Sequence, residues 1–334
     1  MLKYIIKRLL LLIPVLFGVS LTVFIVMHVF TTDPTSIILG QHATAEQIEK
    51  LRGTLGLNDP LPVQFWNFLK GAVQGDLGES LITHTSVVKE IFARFPATIE
   101  LAFAAIVIAS ILGVTIGVIS AIKRNSIIDY IGMVTALLGV SMPIFWLGLL
   151  FIVFFSVQLK ILPVSGRIQI GFEPEHVTGL YMLDSLLTGN TDAFFDALKH
   201  ILLPAAALAS YSMAIIARMT RSTMLEIIKQ DYIRTARAKG LFEKAVILGH
   251  ALRNALIPVI TVIGLQLGSL LGGAVLTETV FAWPGLGSYT IDAILKSDYP
   301  VVQGAVIVLA SVFVLVNLLV DLLYAYLDPR IKYS

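Results

Sequence analysis

Six stretches of this chain, at 9–32, 101–122, 130–159, 200–217, 254–277 and 299–320, carry no charge over 18 residues or more, and each is bounded by an acidic or basic residue. A bilayer core about 30 Å thick takes roughly 20 residues of helix at about 1.5 Å each. Each stretch therefore predicts a membrane-spanning helix, and even the shortest, 200–217, reaches about 27 Å. An even number of spans puts both ends of the chain on one side. Between the spans, 33–96 is long and polar, 160–199 is rich in Gly, Pro and Asp, and 218–253 is strongly basic. The predicted fold is an all-α integral membrane protein with about six transmembrane helices. Residues 1–32 form an N-terminal transmembrane helix, 33–96 an extracytoplasmic segment, and 97–334 a core of five helices containing the basic segment 218–253.

Composition agrees: 57% of the 334 residues are hydrophobic and 14% are charged, against about a quarter charged in a soluble domain. The position of the charges says more than the net +2. If the N-terminus is cytoplasmic, 15 of the 24 lysines and arginines fall on that side, and most of the acids fall on the other, which agrees with the positive-inside bias. The apolar stretch that follows Lys3, Lys7 and Arg8 is too long for a signal-peptide core, and the small-x-small site Ala43-Thr44-Ala45 lies well beyond it, so it is read as a mature helix. No basic run is interleaved with aromatics, so nucleic acid is not an expected partner. With no cysteine, disulfides and thiolate chemistry are excluded.

Little catalytic chemistry remains. No Gly-Lys dipeptide occurs, so the phosphate-cradling loop of an ATPase is missing and nucleotide energy must come from elsewhere. Histidines 28, 42, 84, 176, 200 and 250 are scattered without zinc spacing, so no metal is expected. No G-x-S-x-G elbow is present, and the span interiors are almost free of the ionisable groups that proton-coupled carriers keep. Glu100 and Asp321, at span edges, are expected to face headgroups, water or a neighbouring helix. Gly113-x-x-x-Gly117, Gly264-x-x-x-Gly268 and Gly268-x-x-x-Gly272 predict close helix packing in a bundle or dimer. Pro14, Pro143, Pro204 and Pro258 predict kinks or freed carbonyls. Polar atoms inside spans, at Ser141 and Trp146 in the third and Thr261, Gln266 and Ser269 in the fifth, either line a pathway or hydrogen-bond between helices. The run Gln64 to Leu69 is either a helix whose aromatics pack on the membrane exit or cap the pore, or ordinary packing of a small domain.

The block from Asp231 to Asn254 is the distinctive feature. Its composition suits short helices turning at Gly240, with Ile233, Ala236 and Gly240 forming a stripe at i, i+3, i+7. Such a stripe either docks into a groove on a soluble partner or lies on anionic lipid.

Here the sequence resembles the membrane subunits of binding-protein-dependent ATP-binding-cassette importers, in particular the first (B-type) permease of the dipeptide and oligopeptide branch. Arg234-Thr235-Ala236 stands where the family signature E-A-A-x-x-x-G has E-A-A, with Gly240 as its glycine. Arg253 replaces the expected proline, and His250 and Leu252 occupy the Ile and Leu positions, as in the peptide-permease variant of the motif. Gly75-Asp76-Leu77-Gly78, Pro143-Ile-Phe-Trp146, Pro163-Val-Ser-Gly166, Thr277-Glu-Thr279 with Trp283-Pro-Gly-Leu-Gly287, and Asp298 to Gln303 extend the likeness along the chain.

The resemblance implies a type I importer transmembrane domain in the cell membrane and a permease without enzyme activity of its own. It implies a second permease, two ATPase subunits that bind ATP and magnesium, an external binding protein, and a dipeptide or short oligopeptide as cargo. Nickel chelates, glutathione or another small solute are alternative cargoes, and a membrane-embedded enzyme or self-sufficient channel would be a different class. It further implies that Arg234, Thr235, Ala236, Arg237, Lys239, Gly240, Leu241 and Phe242 seat on an ATPase.

Overall fold

A computed structural model describes residues 2–40 and 43–327; His42 and the basic tail 328–334, used in the charge argument, lie outside the described residues. Among the described residues the regular structure is helical, with one isolated antiparallel bridge between Glu79 and Ser86. Five helices or helix runs are long and apolar enough to cross a membrane, and a sixth crossing results if a bent pair counts as one.

The chain begins with α1 (Leu2–Phe30), followed by three short helices, α2 (Pro34–Leu39), α3 (Ala45–Thr54) and α4 (Leu61–Val73). Asp33 caps α2, accepting from the Thr35 amide at 2.9 Å. Thr44 and Gln47 cap α3 reciprocally, which satisfies amides that a helix start leaves without partners. Next comes α5 (Val87–Ile122), 36 residues long and unbroken through Pro96. The boundary drawn at 96/97 thus falls inside a helix. Glu90, Arg94 and Glu100 end the charge-free window, but charge does not end a helix whose polar side chains find partners.

The third window is not one continuous helix. It divides into α6 (Ile127–Ser141) and α7 (Ile144–Phe151), with a π-helical continuation over Ile152–Gln158, and the two halves meet at 109°. The cause is local. Pro143 disfavours a helical conformation in the residue before it, and Met142 is extended, with φ −91° and ψ 137°.

After a long loop come α8 (Tyr181–Leu187) and α9 (Thr191–Ile227), 37 residues long. A short α10 (Asp231–Ala238) leads to α11 (Glu243–Ala245), which runs through a π-helical turn over Val246–Leu252 into α12 (Arg253–Gly273). Two short helices, α13 (Val275–Val280) and α14 (Leu286–Leu295), precede α15 (Tyr299–Leu327).

The pairing of α5 with α9 is the most extensive in the molecule. A Cβ at Gly113 would lie 2.8 Å from the Met213 carbonyl oxygen, and one at Gly117 would lie 2.6 Å from that of Ala217. Backbones approach this closely only where a side chain is missing, the packing that lipid-immersed helices use in place of a hydrophobic drive. Gly264 and Gly268 serve α12 against α15 in the same way, facing Val320 and Asn317, while Gly272 meets open space. The three motifs are thus packing devices within this chain, apart from that last glycine. The main core, which includes Leu101, Ala105, Leu208, Val259 and Trp283, lies between α5, α9 and α12.

Candidate functional site

The segment from Asp231 to Asn254 forms a hairpin-like turn at one end of the bundle. It starts three residues after α9 ends, and α11 carries it without interruption toward α12. Gly240 supplies the bend with φ +79°, a conformation that L side chains rarely adopt. A Cβ there would meet no neighbour, so the requirement is conformational and not steric. Across the turn, Arg237 donates to Glu243 through Nε at 3.1 Å and Nη2 at 2.7 Å. Asn254 on α12 donates to the Tyr232 hydroxyl at 3.1 Å, tying α10 to the helix it precedes.

Two of the three stripe residues, expected to meet a partner or lipid, face inward, while Gly240 stays exposed. Ile233 is fully buried and Ala236 is buried with it, packed with Val118, Ala121, Met224, Val246 and Ala251. In a short helix over a bundle, the apolar face is the one the chain itself can cover, and Ala236 anchors the turn through it. The opposite face is open. Arg234, Thr235, Arg237, Lys239, Gly240 and Leu241 are exposed, and Phe242 is 87% exposed at the tip.

The turn rests on a rigid base. On α9, Arg221 donates to Asp129 through two bonds of 2.7 Å, a bidentate geometry that fixes orientation as well as distance. This ion pair ties the start of α6 to α9 less than two turns before α9 ends, so a push on α10 bears on α9, α6 and α12 together.

The other end of the bundle holds a second polar cluster. Glu278 on α13 is fully buried; it accepts from the Thr98 hydroxyl at 2.6 Å and from the Ser288 amide at 2.9 Å. Thr98 in turn accepts from the Leu286 amide at 2.8 Å, and Trp283 donates to the Ala97 carbonyl at 2.8 Å. Burial pushes the Glu278 carboxyl above its ordinary value, against the lowering effect of its hydrogen bonds to Thr98, Ser288 and Gly287. Gly285 is needed for close approach, since a Cβ there would lie 2.3 Å from the Glu278 carboxylate.

Beside it, Arg167 donates to Glu100 at 3.0 and 2.5 Å and to the Gly179 carbonyl at 2.7 Å, while the Met182 amide donates to Glu100 at 2.7 Å. The Arg167 guanidinium lies 3.8 Å from the centre of the Tyr181 ring. Together these bonds tie α5, the 160–180 loop and the α13–α14 hairpin into one block. Of the environments expected for Glu100, headgroups, water or a neighbouring helix, it meets the last, through the Met182 amide of α8, together with a loop arginine. Asp321 pairs with Arg8 of α1 at 2.9 Å. In the sequence Glu278 shows only as the charge closing the fifth window and as the centre of the family-like stretch Thr277-Glu-Thr279, neither of which names its buried partners.

The in-span polar residues do not converge. Ser141 donates to the Leu137 carbonyl at 2.9 Å, and Thr261 to that of Ile257 at 3.5 Å, each within its own helix. Gln266 accepts from Ser212 on α9 at 3.0 Å, a bond between helices. Trp146 is 43% exposed at the start of α7, and Ser269 is exposed on α12. Among the described residues no two of these five hydrogen-bond to each other.

The geometry so far is that of a helical bundle with an exposed, rigidly backed turn at one end. Residues 113–333 match the family described as binding-protein-dependent transport system inner membrane component, and residues 1–102 match the N-terminal part of such a membrane component. The chain belongs to this family. It is 50% identical to the dipeptide transport system permease protein DppB of Alkalihalophilus pseudofirmus over 333 residues, covering all of both chains. It is 46% identical to DppB of Escherichia coli K12 and 43% identical to the glutathione transport system permease protein GsiC of E. coli O6:H1, again over the full length of each. Among solved structures, a chain of the MetNI methionine ABC transporter superposes with a TM-score of 0.51 at 19% identity, covering 70% of this chain and 93% of that one. The fold is therefore that of a type I importer permease, and the chain is a multi-pass protein of an inner-membrane transport system.

Proposed function

We propose that the chain forms half of the translocation pathway of an ATP-driven importer of dipeptides, and that the turn from Arg234 to Phe242 is where a partner ATPase grips it. The observation that carries this reading is the division of α10 into a buried face and an open one. Ile233 and Ala236 hold the turn to the bundle, while Arg234, Lys239, Leu241 and Phe242 remain available. A rigid element joined to α9 and α12 transmits an ATP-driven displacement to the membrane helices, where a floppy loop would absorb it. The relatives named for dipeptide transport support the cargo, and the relative named for glutathione supports a second reading in which a modified tripeptide is carried.

In this orientation both termini and the α10 turn are cytoplasmic, and α2, α3 and the 160–180 loop are extracytoplasmic, where a substrate-binding protein delivers cargo. ATP and magnesium belong to two separate ATPase subunits, and a second, homologous permease completes the cavity. Ser141, Trp146, Thr261 and Ser269 are pathway candidates, whereas Gln266 acts in packing α12 on α9.

The test is co-purification of the tagged chain with its partners, followed by Gly240→Trp, which forces a bulky side chain into left-handed backbone. The variant is expected to insert in the membrane yet lose ATPase association and ATP-dependent dipeptide uptake. If both survive, the docking assignment is wrong. Competition by glutathione against labelled dipeptide separates the two cargoes.

A further inference from the structure

Helix α4 lies in the segment expected to be extracytoplasmic, and it carries two apolar faces. The inner one is accounted for: Phe65 packs edge-on against Phe17 at 5.7 Å and beside Phe24 at 5.2 Å, and His28 Nε2 lies 3.1 Å from Gln64 Oε1. The outer one is bare, with Val63 45%, Trp66 67% and Val73 88% exposed.

The contacts also fix how deep α4 lies. Its first turns meet α1 at His28, and its last turns share a groove with Leu12, Ile13 and Leu16 of α1. From Gln64 to Val73 is about 13.5 Å of helix, nearly half of a bilayer core about 30 Å thick. Because α1 is a membrane-crossing helix, the end of α4 at Val73 reaches hydrocarbon depth, while Lys70, one turn earlier, stays within reach of the interface.

The groove has a volume of ≈ 550 Å³, and its one charged lining residue is Lys70. A single cation over an apolar trough complements a phospholipid, with the phosphate at the ammonium and the acyl chain below, since a lysine stem lies along apolar surface while its head reaches the interface. Trp66, on the rim, is the residue type enriched at that level. We infer that α4 is seated in the bilayer leaflet at the α2–α4 end of the molecule, and that the groove between α4 and α1 holds a phospholipid whose phosphate meets Lys70.

The chain has no cysteine, so Val73→Cys gives it one site for a nitroxide label. The labelled chain is assembled with its partners and reconstituted in vesicles of phosphatidylethanolamine and phosphatidylglycerol, with Glu46→Cys on exposed α3 as the aqueous reference. Relative to that reference, the ratio of collisions with oxygen to collisions with a water-soluble nickel chelate is expected to rise about tenfold at position 73. A label at 73 as open to nickel as the reference overturns the proposal by placing α4 in water. One shielded from both reagents overturns it by placing a protein there. Lys70→Glu is expected to lower the phosphatidylglycerol retained in native mass spectrometry about fivefold, and unchanged retention overturns the phosphate assignment.

Discussion

The two ends of this bundle are built on opposite rules. At the α13–α14 end, Glu278, Glu100 and Arg167 are buried, and each is satisfied from within the chain by Thr98, Ser288, Gly179 or Met182. At the α10 end, charged and aromatic side chains stand in the open over an anchor of aliphatic residues and the half-open Arg221–Asp129 pair. The first arrangement maintains a shape without outside help. The second keeps a shape and leaves its chemistry for a partner. The difference teaches that burial of charge here marks structure, the reverse of a naive ranking of polar residues as sites.

The strongest way to break this comparison is Arg167→Ala. Removing one partner of a buried ion pair leaves the other uncompensated, which destabilises by about 3–5 kcal/mol. The expected outcome is a markedly lower thermal unfolding midpoint for the purified chain. Replacing Glu100 and Arg167 together with Gln and Met should restore much of it, because no orphan charge then remains. An unchanged midpoint in Arg167→Ala would mean that water already reaches the pair.

Much of this was legible before the fold was known, and the failures have physical reasons. Helix positions followed from charge-free windows because lipid admits few alternatives, and Gly113, Gly117, Gly264 and Gly268 announced close packing. The same windows misjudged ends: α5 starts at Val87, well before Leu101, because Glu90, Arg94 and Glu100 find partners inside the protein. The bend at Pro143 was foreseen as a kink, but its angle depends on tertiary packing. For α10 the periodicity correctly grouped Ile233 with Ala236 but could not say which surface they face, since a helix stripe looks alike against its own bundle and against a partner. Glu278 carried almost no signal, since its partners lie at Thr98 and Ser288 and only the fold brings Thr98 near.

A subtler effect comes from Glu278. Its native carboxyl titrates above the ordinary value of 4.5 because of burial. An acid whose pKa is raised on folding favours the native state fully below the unfolded value, and that contribution is lost as pH rises through the native one. Stability measured by thermal unfolding should therefore decline between about pH 4.5 and the native pKa, and Glu278→Gln should flatten that part of the profile. A variant profile parallel to the wild type would assign the pH dependence to other groups.

The smallest expected effect on stability sharpens the comparison most. Phe242 is 87% exposed and makes no ring contact with another aromatic among the described residues. Truncation at such a position usually changes folding stability by less than about 0.5 kcal/mol. Phe242→Ala should therefore leave the unfolding midpoint where it is. If the open face of α10 exists for a partner, the same change removes an aromatic anchor of the kind that dominates interfaces, where one truncation weakens binding by about 2 kcal/mol or more. ATPase co-purification and ATP-dependent uptake should then fall together while the isolated chain stays intact. A loss of stability without loss of association would show that Phe242 packs within its own chain, and the contrast between the two ends would fail at its most exposed residue.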